Sequence, residues 1–274
     1  MPPTDVPSIT KVSFEELMTL EPHGPDTFVG IAPRYPWGRI FGGQVVAQAL
    51  RAAQHTVDSD YSVHSLHAYF IRGGTSAEPV RFEVDRIRNG RSFLTRRVVA
   101  RQSNGAILNL SASFQVAEEA PDVAAVEPPT DLATPDELRD EGWGRMLGRR
   151  RARREFGRES MWLRLLEDLP NDPELLACGF AFVSDAAPTG AVRATHPRQF
   201  PTREESAKHF VGASLDHSIY FQRPVDPTKW ILVDTTCTGM VNNRGLSIGN
   251  VFDAEGHAVA NIVQEVLLRE RRPS

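Results

Sequence analysis

Three polar breaks interrupt apolar runs in the second half of this 274-residue chain. Asp216 and His217 open the run Leu215-Asp-His-Ser-Ile-Tyr-Phe221. Thr235, Thr236 and Thr238 flank Cys237, and Gln264-Glu265 interrupts Ala260-Asn-Ile-Val-Gln-Glu-Val-Leu-Leu268. A carboxylate, a hydroxyl and an amide near one another could orient a water. The carboxylate would take its proton while the other two groups fix its direction of attack. Polar residues in strands more often face solvent or bond locally, so spacing alone leaves both readings open.

A second hint lies in Gly42-Gly43, ahead of a run of small and apolar residues. Glycines at a helix start let a ligand approach the N–H groups of the first turn, where negative charge is favoured. A carbonyl becoming an oxyanion develops such charge. Tight packing of that helix on a sheet accounts for the glycines equally well.

Several other chemistries are disfavoured. The chain has no Gly-x-Ser-x-Gly elbow, no Gly-x-Gly-x-x-Gly and no P-loop. His64 and His67 fall on opposite faces of one strand, and Cys178 and Cys237 are too few for a disulfide framework or a zinc site. Neither a metal nor a cofactor is expected. A net charge of −4 gives no basic field for nucleic acid or an anionic membrane. The first twenty residues lack a secretory pattern, no apolar stretch is long enough to cross a bilayer, and the end Arg-Glu-Arg-Arg-Pro-Ser274 is not a peroxisomal address. A soluble, cytoplasmic protein is the expectation.

The elements that must position these groups read as an α+β chain repeated twice. Ser13-Phe-Glu-Glu16 announces a capped helix, with Val12 and Leu17 as its staple. A strand near Phe28 and the glycine-led helix from Gly42 follow. Strand-like runs then cover Val63–Arg72, Val80–Arg88, Phe93–Gln102 and Ala106–Val116, punctuated by Asn89-Gly90 and Asn104-Gly105. In the second half Met161–Leu166 reads as a strand and Pro173–Asp185 as an apolar helix. Strand-like runs return at Leu215–Arg223, Ile231–Met240, Leu246–Phe252 and Ala258–Leu268. Tyr69-Phe-Ile-Arg72 lines up with Tyr220-Phe-Gln-Arg223, so the unit is duplicated, each copy a curved antiparallel sheet around one helix. The expected limits are a first domain at 1–116, a linker at 117–150 with a mobile Pro/acidic part to about Asp140 and an Arg-rich part, and a second domain at 151–274. The arginines from Arg145 to Arg154 read as a solvated helix face or a patch against acidic surface, with a phosphate-bearing ligand as the alternative.

Phe41-Gly-Gly-Gln-Val-Val-Ala-Gln-Ala-Leu50, Val63-His-Ser-Leu-His-Ala-Tyr-Phe-Ile-Arg72, Leu215-Asp-His-Ser-Ile-Tyr-Phe-Gln-Arg-Pro224, Asn243-Arg-Gly245 and Val263-Gln-Glu265 occur in order over nearly the whole chain. In these stretches it resembles the acyl-CoA thioesterase II (TesB-like) family. The resemblance implies two tandem hot-dog domains and hydrolysis of fatty acyl-CoA by an activated water, without a covalent intermediate. It places the water on Asp216, Thr238 and Gln264, with Thr236 as a rival to Thr238. Gly42, Gly43 and Gln44 would bind substrate, the N–H of Gly43 or Gln44 serving the oxyanion. Ser65 stands where the second repeat has Asp216, which implies one working site per chain. The expected partner is acyl-CoA, and the assembly a homo-oligomer. A non-catalytic acyl-CoA binder and an enoyl-CoA hydratase-type enzyme are the alternatives.

Overall fold

The computed structural model describes residues 6–200 and 203–271. A 3-10 turn (Ile9–Lys11) leads into α1 (Phe14–Met18). Ser13 and Glu16 form the reciprocal cap expected there, and the flanking Val12 and Leu17 are buried. The first half continues with β1 (Glu21–Pro22), β2 (Thr27–Gly30), α2 (Gly42–Gln54), β3 (Tyr61–Phe70), β4 (Val80–Asn89), β5 (Phe93–Gln102) and β6 (Gly105–Val116). The second half comprises β7 (Leu147–Glu155), β8 (Arg158–Leu165), α3 (Pro173–Ser184), α4 (Thr189–Thr195), α5 (Arg203–His209) and β9 (Phe210–Ser214). It ends with β10 (Asp216–Phe221), β11 (Ile231–Val241), β12 (Arg244–Phe252) and β13 (Ala258–Glu270).

These strands form one antiparallel sheet in the order β1-β2-β4-β5-β6-β3-β10-β13-β12-β11-β8-β7, with β9 pairing β13. The order β2-β4-β5-β6-β3 of the first half is repeated by β8-β11-β12-β13-β10 in the second, and the halves join edge to edge through β3 and β10. Equivalent residues pair reciprocally across that seam: Asp216 lies opposite Tyr69, and Tyr220 opposite Ser65. The two halves are thus related by a pseudo-two-fold axis. Between β11 and β12, Asn242 and Asn243 both take positive φ, 51° and 61°, as a tight hairpin requires.

The concave face of the sheet holds α2 and α3, which pack against each other. Their apolar residues, among them Val46, Leu50, Phe180 and Phe182, are buried in one cluster with the inward residues of both half-sheets. Each such side chain contributes about 1.5–3 kcal/mol of burial energy. Contrary to the expectation that no apolar stretch could cross a bilayer, Pro173–Thr195 is long and apolar enough to do so, yet 78% of its most apolar window is buried inside the fold. Pro188, which cannot continue a helical ladder, separates α3 from α4.

The connector between the halves departs from expectation. β7 begins at Leu147, inside the stretch read as linker, and the arginines from Arg149 to Arg154 lie on this edge strand rather than on a helix. Arg149 and Arg151 pair with Glu141 and the buried Glu159, and Arg150 meets Asp136 and the Trp230 ring. Acidic side chains thus complement the patch. Residues 117–146 are tied down along their length by Asp122 to Arg223, Asp131 to Arg153 and Ala133 O to Trp162 Nε1.

Candidate active site

Between β9 and β10 the ladder slips by one residue. Ser214 lies opposite Val266 and Ser218 opposite Val263, so four steps along one strand meet three along β13. This is a β-bulge at Leu215-Asp216. Side chains alternate along a regular strand, so Ser214 and His217, three apart, would otherwise face opposite sides. The bulge turns both inward, onto Gln264. Gln264 Nε2 donates to Ser214 Oγ at 2.5 Å, and its Oε1 lies 2.6 Å from His217 Nδ1. The second ring nitrogen, Nε2, lies 2.8 Å from Ser184 Oγ at the end of α3. His217 and Gln264 are fully buried. Burial pulls the imidazole pKa down to about 4, so the ring is neutral at neutral pH.

Ser214 Oγ also lies 3.5 Å from Asp185 Oδ1. Asp185 caps the C-terminus of α3 and is buried. The negative end of α3's own dipole disfavours a carboxylate there. The start of α2 offsets this. A β-carbon built on Gly42 would stand 2.7 Å from Asp185 Oδ2, so only glycine lets the carboxylate this close to the helix N-terminus. α2 has no side-chain cap from Phe41, leaving the positive helix end to act on the charge. Gly43 is needed for a different contact: its β-carbon would fall 2.3 Å from the carbonyl oxygen of Phe182, where α2 and α3 touch. A carboxylate, a hydroxyl and an amide therefore converge beside a helix start, the set required to hold a water and take its proton.

The sequence expectation named one member of this set, Gln264. Asp216 is directed to the outer face, half-buried, with Oδ1 accepting the Glu265 N–H at 2.6 Å. That amide lies at the bulge, so the carboxylate completes the ladder there. Burial raises the Asp216 pKa, with the Glu265 N–H bond acting in the opposite sense. Thr238 and Thr236 are exposed on β11, separated from β13 by β12, and Thr236 Oγ1 donates to Ile248 O at 3.4 Å. Neither reaches the site. Gly42 does lie beside it, and Gly43 follows in the first turn of α2 against Phe182 O, but Gln44 does not take part. Its amide accepts from Tyr35 Oη at 2.8 Å and donates to Ile31 O and Gln48 Oε1, and its backbone N–H bonds Phe41 O within the helix. Of the two histidines on β3, His64 bonds Ser113 and His67 bonds Ser218.

Asp185 and Ser214 were missed. A signal for Asp185 exists in the sequence: an acidic residue ending an apolar helix, where that helix repels it. Ser214 has no comparable signal, because only the bulge turns it inward.

Residues 31–115 match the family described as acyl-CoA thioesterase N-terminal domain, and residues 118–268 the acyl-CoA thioesterase C-terminal domain. Acyl-coenzyme A thioesterase 8 of Homo sapiens is 31% identical over 98% of this chain and 91% of its own length. The solved acyl-CoA thioesterase II TesB2 from Mycobacterium marinum superposes with a TM-score of 0.81 at 33% identity, covering 94% of this chain and 99% of that one. A hot dog fold protein of unknown function from Alicyclobacillus acidocaldarius shares the fold, with a TM-score of 0.76 at 19% identity over 95% of this chain and 98% of its own. With both halves of the chain matched and the hot-dog architecture present throughout, the protein belongs to the acyl-CoA thioesterase family.

Proposed function

We propose that this protein hydrolyses fatty acyl-CoA to the free acid and CoA at the site formed by Asp185, Ser214 and Gln264. The observation that carries the assignment is the convergence of these three side chains next to the start of α2. Asp185 takes a proton from a water that Ser214 and Gln264 orient. The water oxygen bonds to the thioester carbonyl carbon, and the resulting oxyanion is stabilised near the N–H groups of Gly42 and Gly43. The C–S bond then breaks, and the proton passes from Asp185 to the leaving thiolate.

Attack by water rather than by Ser214 follows from the imidazole. In a serine-nucleophile site a histidine ring nitrogen accepts the hydroxyl proton. Here both nitrogens of His217 are engaged, by Ser184 and Gln264, and neither contacts Ser214. The same geometry weighs against a hydratase. Asp216 and His217 point to opposite faces and cannot pass a proton between them.

Two coarser features belong to the same reading. Tyr69 and Tyr220 are exposed on the outer sheet face at the β3–β10 seam, and Leu246 and Ile248 on β12, which supports a homo-oligomer. Cys178 and Cys237 are both buried free thiols, which suits the reducing cytoplasm.

The test is thiol release from a panel of acyl-CoA chain lengths by the wild type, Ser214→Ala and Gln264→Ala. Release by the wild type and a loss of about 10²-fold or more in kcat for each variant are expected. No release by the wild type, or undiminished turnover in both variants, would remove the assignment.

A further inference from the structure

We infer that His217 is a positioning residue: as its Nδ1–H tautomer, it holds the amide of Gln264 in the one orientation that lets Ser214 donate to Asp185. The inference deepens the hydrolase reading and rests on it for its kinetic consequence.

Five side chains lie in series: Ser184 Oγ 2.8 Å from His217 Nε2, His217 Nδ1 2.6 Å from Gln264 Oε1, Gln264 Nε2 2.5 Å from Ser214 Oγ, and Ser214 Oγ 3.5 Å from Asp185 Oδ1. An ionised carboxylate only accepts. Ser214 has one proton, which goes to Asp185, so its oxygen must accept from Gln264. Only the NH₂ end of the amide can donate, which turns the carbonyl end toward His217. That carbonyl needs a donor, so the proton of the neutral ring sits on Nδ1. Nε2 is then a bare acceptor, and the Ser184 hydroxyl donates to it rather than to its helix neighbour Ala181 O, 3.1 Å away. Every donor in the chain points the same way, from Ser184 toward the carboxylate.

The reverse polarity satisfies the far end just as well. With the ring proton on Nε2, Ser184 would bond Ala181 O, and Gln264 would turn its NH₂ to His217 and its carbonyl to Ser214. The Ser214 hydroxyl would then donate to Gln264 and offer Asp185 only lone pairs. The two arrangements differ by one amide flip and one tautomer, so the fully buried imidazole is the switch point. Burial, which keeps the ring uncharged at neutral pH, preserves the difference between its two nitrogens.

The test uses the full-length protein in two ways. Long-range proton–nitrogen correlation spectra of protein labelled with ¹⁵N-histidine report each ring's tautomer, and the His217→Asn spectrum assigns His217 among the eight histidines. His217 as the Nδ1–H tautomer is expected; the Nε2–H form or an imidazolium at neutral pH would overturn the proposal. In parallel, His217→Leu removes the donor, whereas His217→Asn places an amide N–H where Nδ1–H stands. His217→Leu is expected to lower kcat by roughly ten- to a hundred-fold with KM held within about two-fold, the scale of losing an orienting partner. His217→Asn is expected to restore most of the loss. Equal losses in the two folded variants, or wild-type kcat in His217→Leu, would contradict the proposal. If one variant fails to fold, the spectrum of the other assigns His217, and the wild-type tautomer still decides. Undiminished turnover in Ser214→Ala and Gln264→Ala would sink the hydrolase reading alone, since the tautomer is measured without activity.

Discussion

Asp185 and Gly42 meet where the end of α3 faces the start of α2, with Asp185 Oδ2 2.7 Å from where a β-carbon on Gly42 would stand. The contact joins the second half of the chain to the first. It stations a carboxylate at the negative end of its own helix by placing it against the positive end of another. The two half-sheets share one core, and this site likewise needs both helices.

Gly42→Ala and Gly43→Ala should therefore differ in kind. Alanine at 42 presses on a carboxylate and on the Phe70 ring at 3.0 Å, both of which can shift. Activity should fall by about ten-fold or more, with stability reduced by less than about 1 kcal/mol. Alanine at 43 meets backbone at 2.3 Å, which cannot yield without separating α2 from α3. Stability should fall by about 1–3 kcal/mol. Urea unfolding and steady-state kinetics on both variants separate the effects. Equal stability losses would contradict the packing described.

Burial of neutral His217 makes stability depend on pH. The folded-state pKa of about 4 lies below the unfolded value near 6.5, so between these values the unfolded chain binds the extra proton. Stability is fully present above about pH 6.5 and falls as pH drops toward 4, by an amount on the order of 3 kcal/mol. His217→Asn should flatten this slope. Urea unfolding from pH 7.5 down to 4.5 measures it, and an unchanged slope in the variant would refute the assignment to His217.

Asp216 gives a dependence of opposite sign. Its raised folded pKa means that the folded state favours the protonated acid, so its contribution is greatest at low pH and is lost as pH rises through the folded pKa. Asp216→Asn keeps an acceptor for the Glu265 N–H while removing the charge. The variant should be at least as stable as the wild type at pH 7, with any gain fading in acid. A destabilised Asp216→Asn at neutral pH would contradict this.

Thr236→Val and Thr238→Val should leave kcat/KM within about two-fold of wild type, because both residues are exposed on β11, two strands from Gln264. A ten-fold loss in either would show that the β11 threonines reach the reacting atoms.

Much of the fold was legible because period-two alternation and paired turn residues declare a meander locally. The helix from Gly42 and the strand carrying Gln264 could be read that way. The edge strand β7 was hidden because five arginines mask its alternation, and its partners Glu141 and Glu159 are set by tertiary structure. The site was less legible than the fold. Asp216 carries the more conspicuous motif, yet a one-residue bulge decides that Ser214 faces the site instead, and a sequence pattern does not announce a bulge. Asp185 owes its role to the start of a helix at Gly42, 143 positions away in the chain.

The central claim is that Asp185, not Asp216, takes the proton from water. The most direct test is the hydrolysis rate of a saturating acyl-CoA by Asp185→Asn and Asp216→Asn side by side, with folding of both checked by circular dichroism. Loss of a general base costs about 10²–10⁴-fold, so Asp185→Asn should fall by that factor while Asp216→Asn stays within about two-fold of wild type. The opposite pattern, with Asp216→Asn inactive and Asp185→Asn unimpaired, would contradict the account.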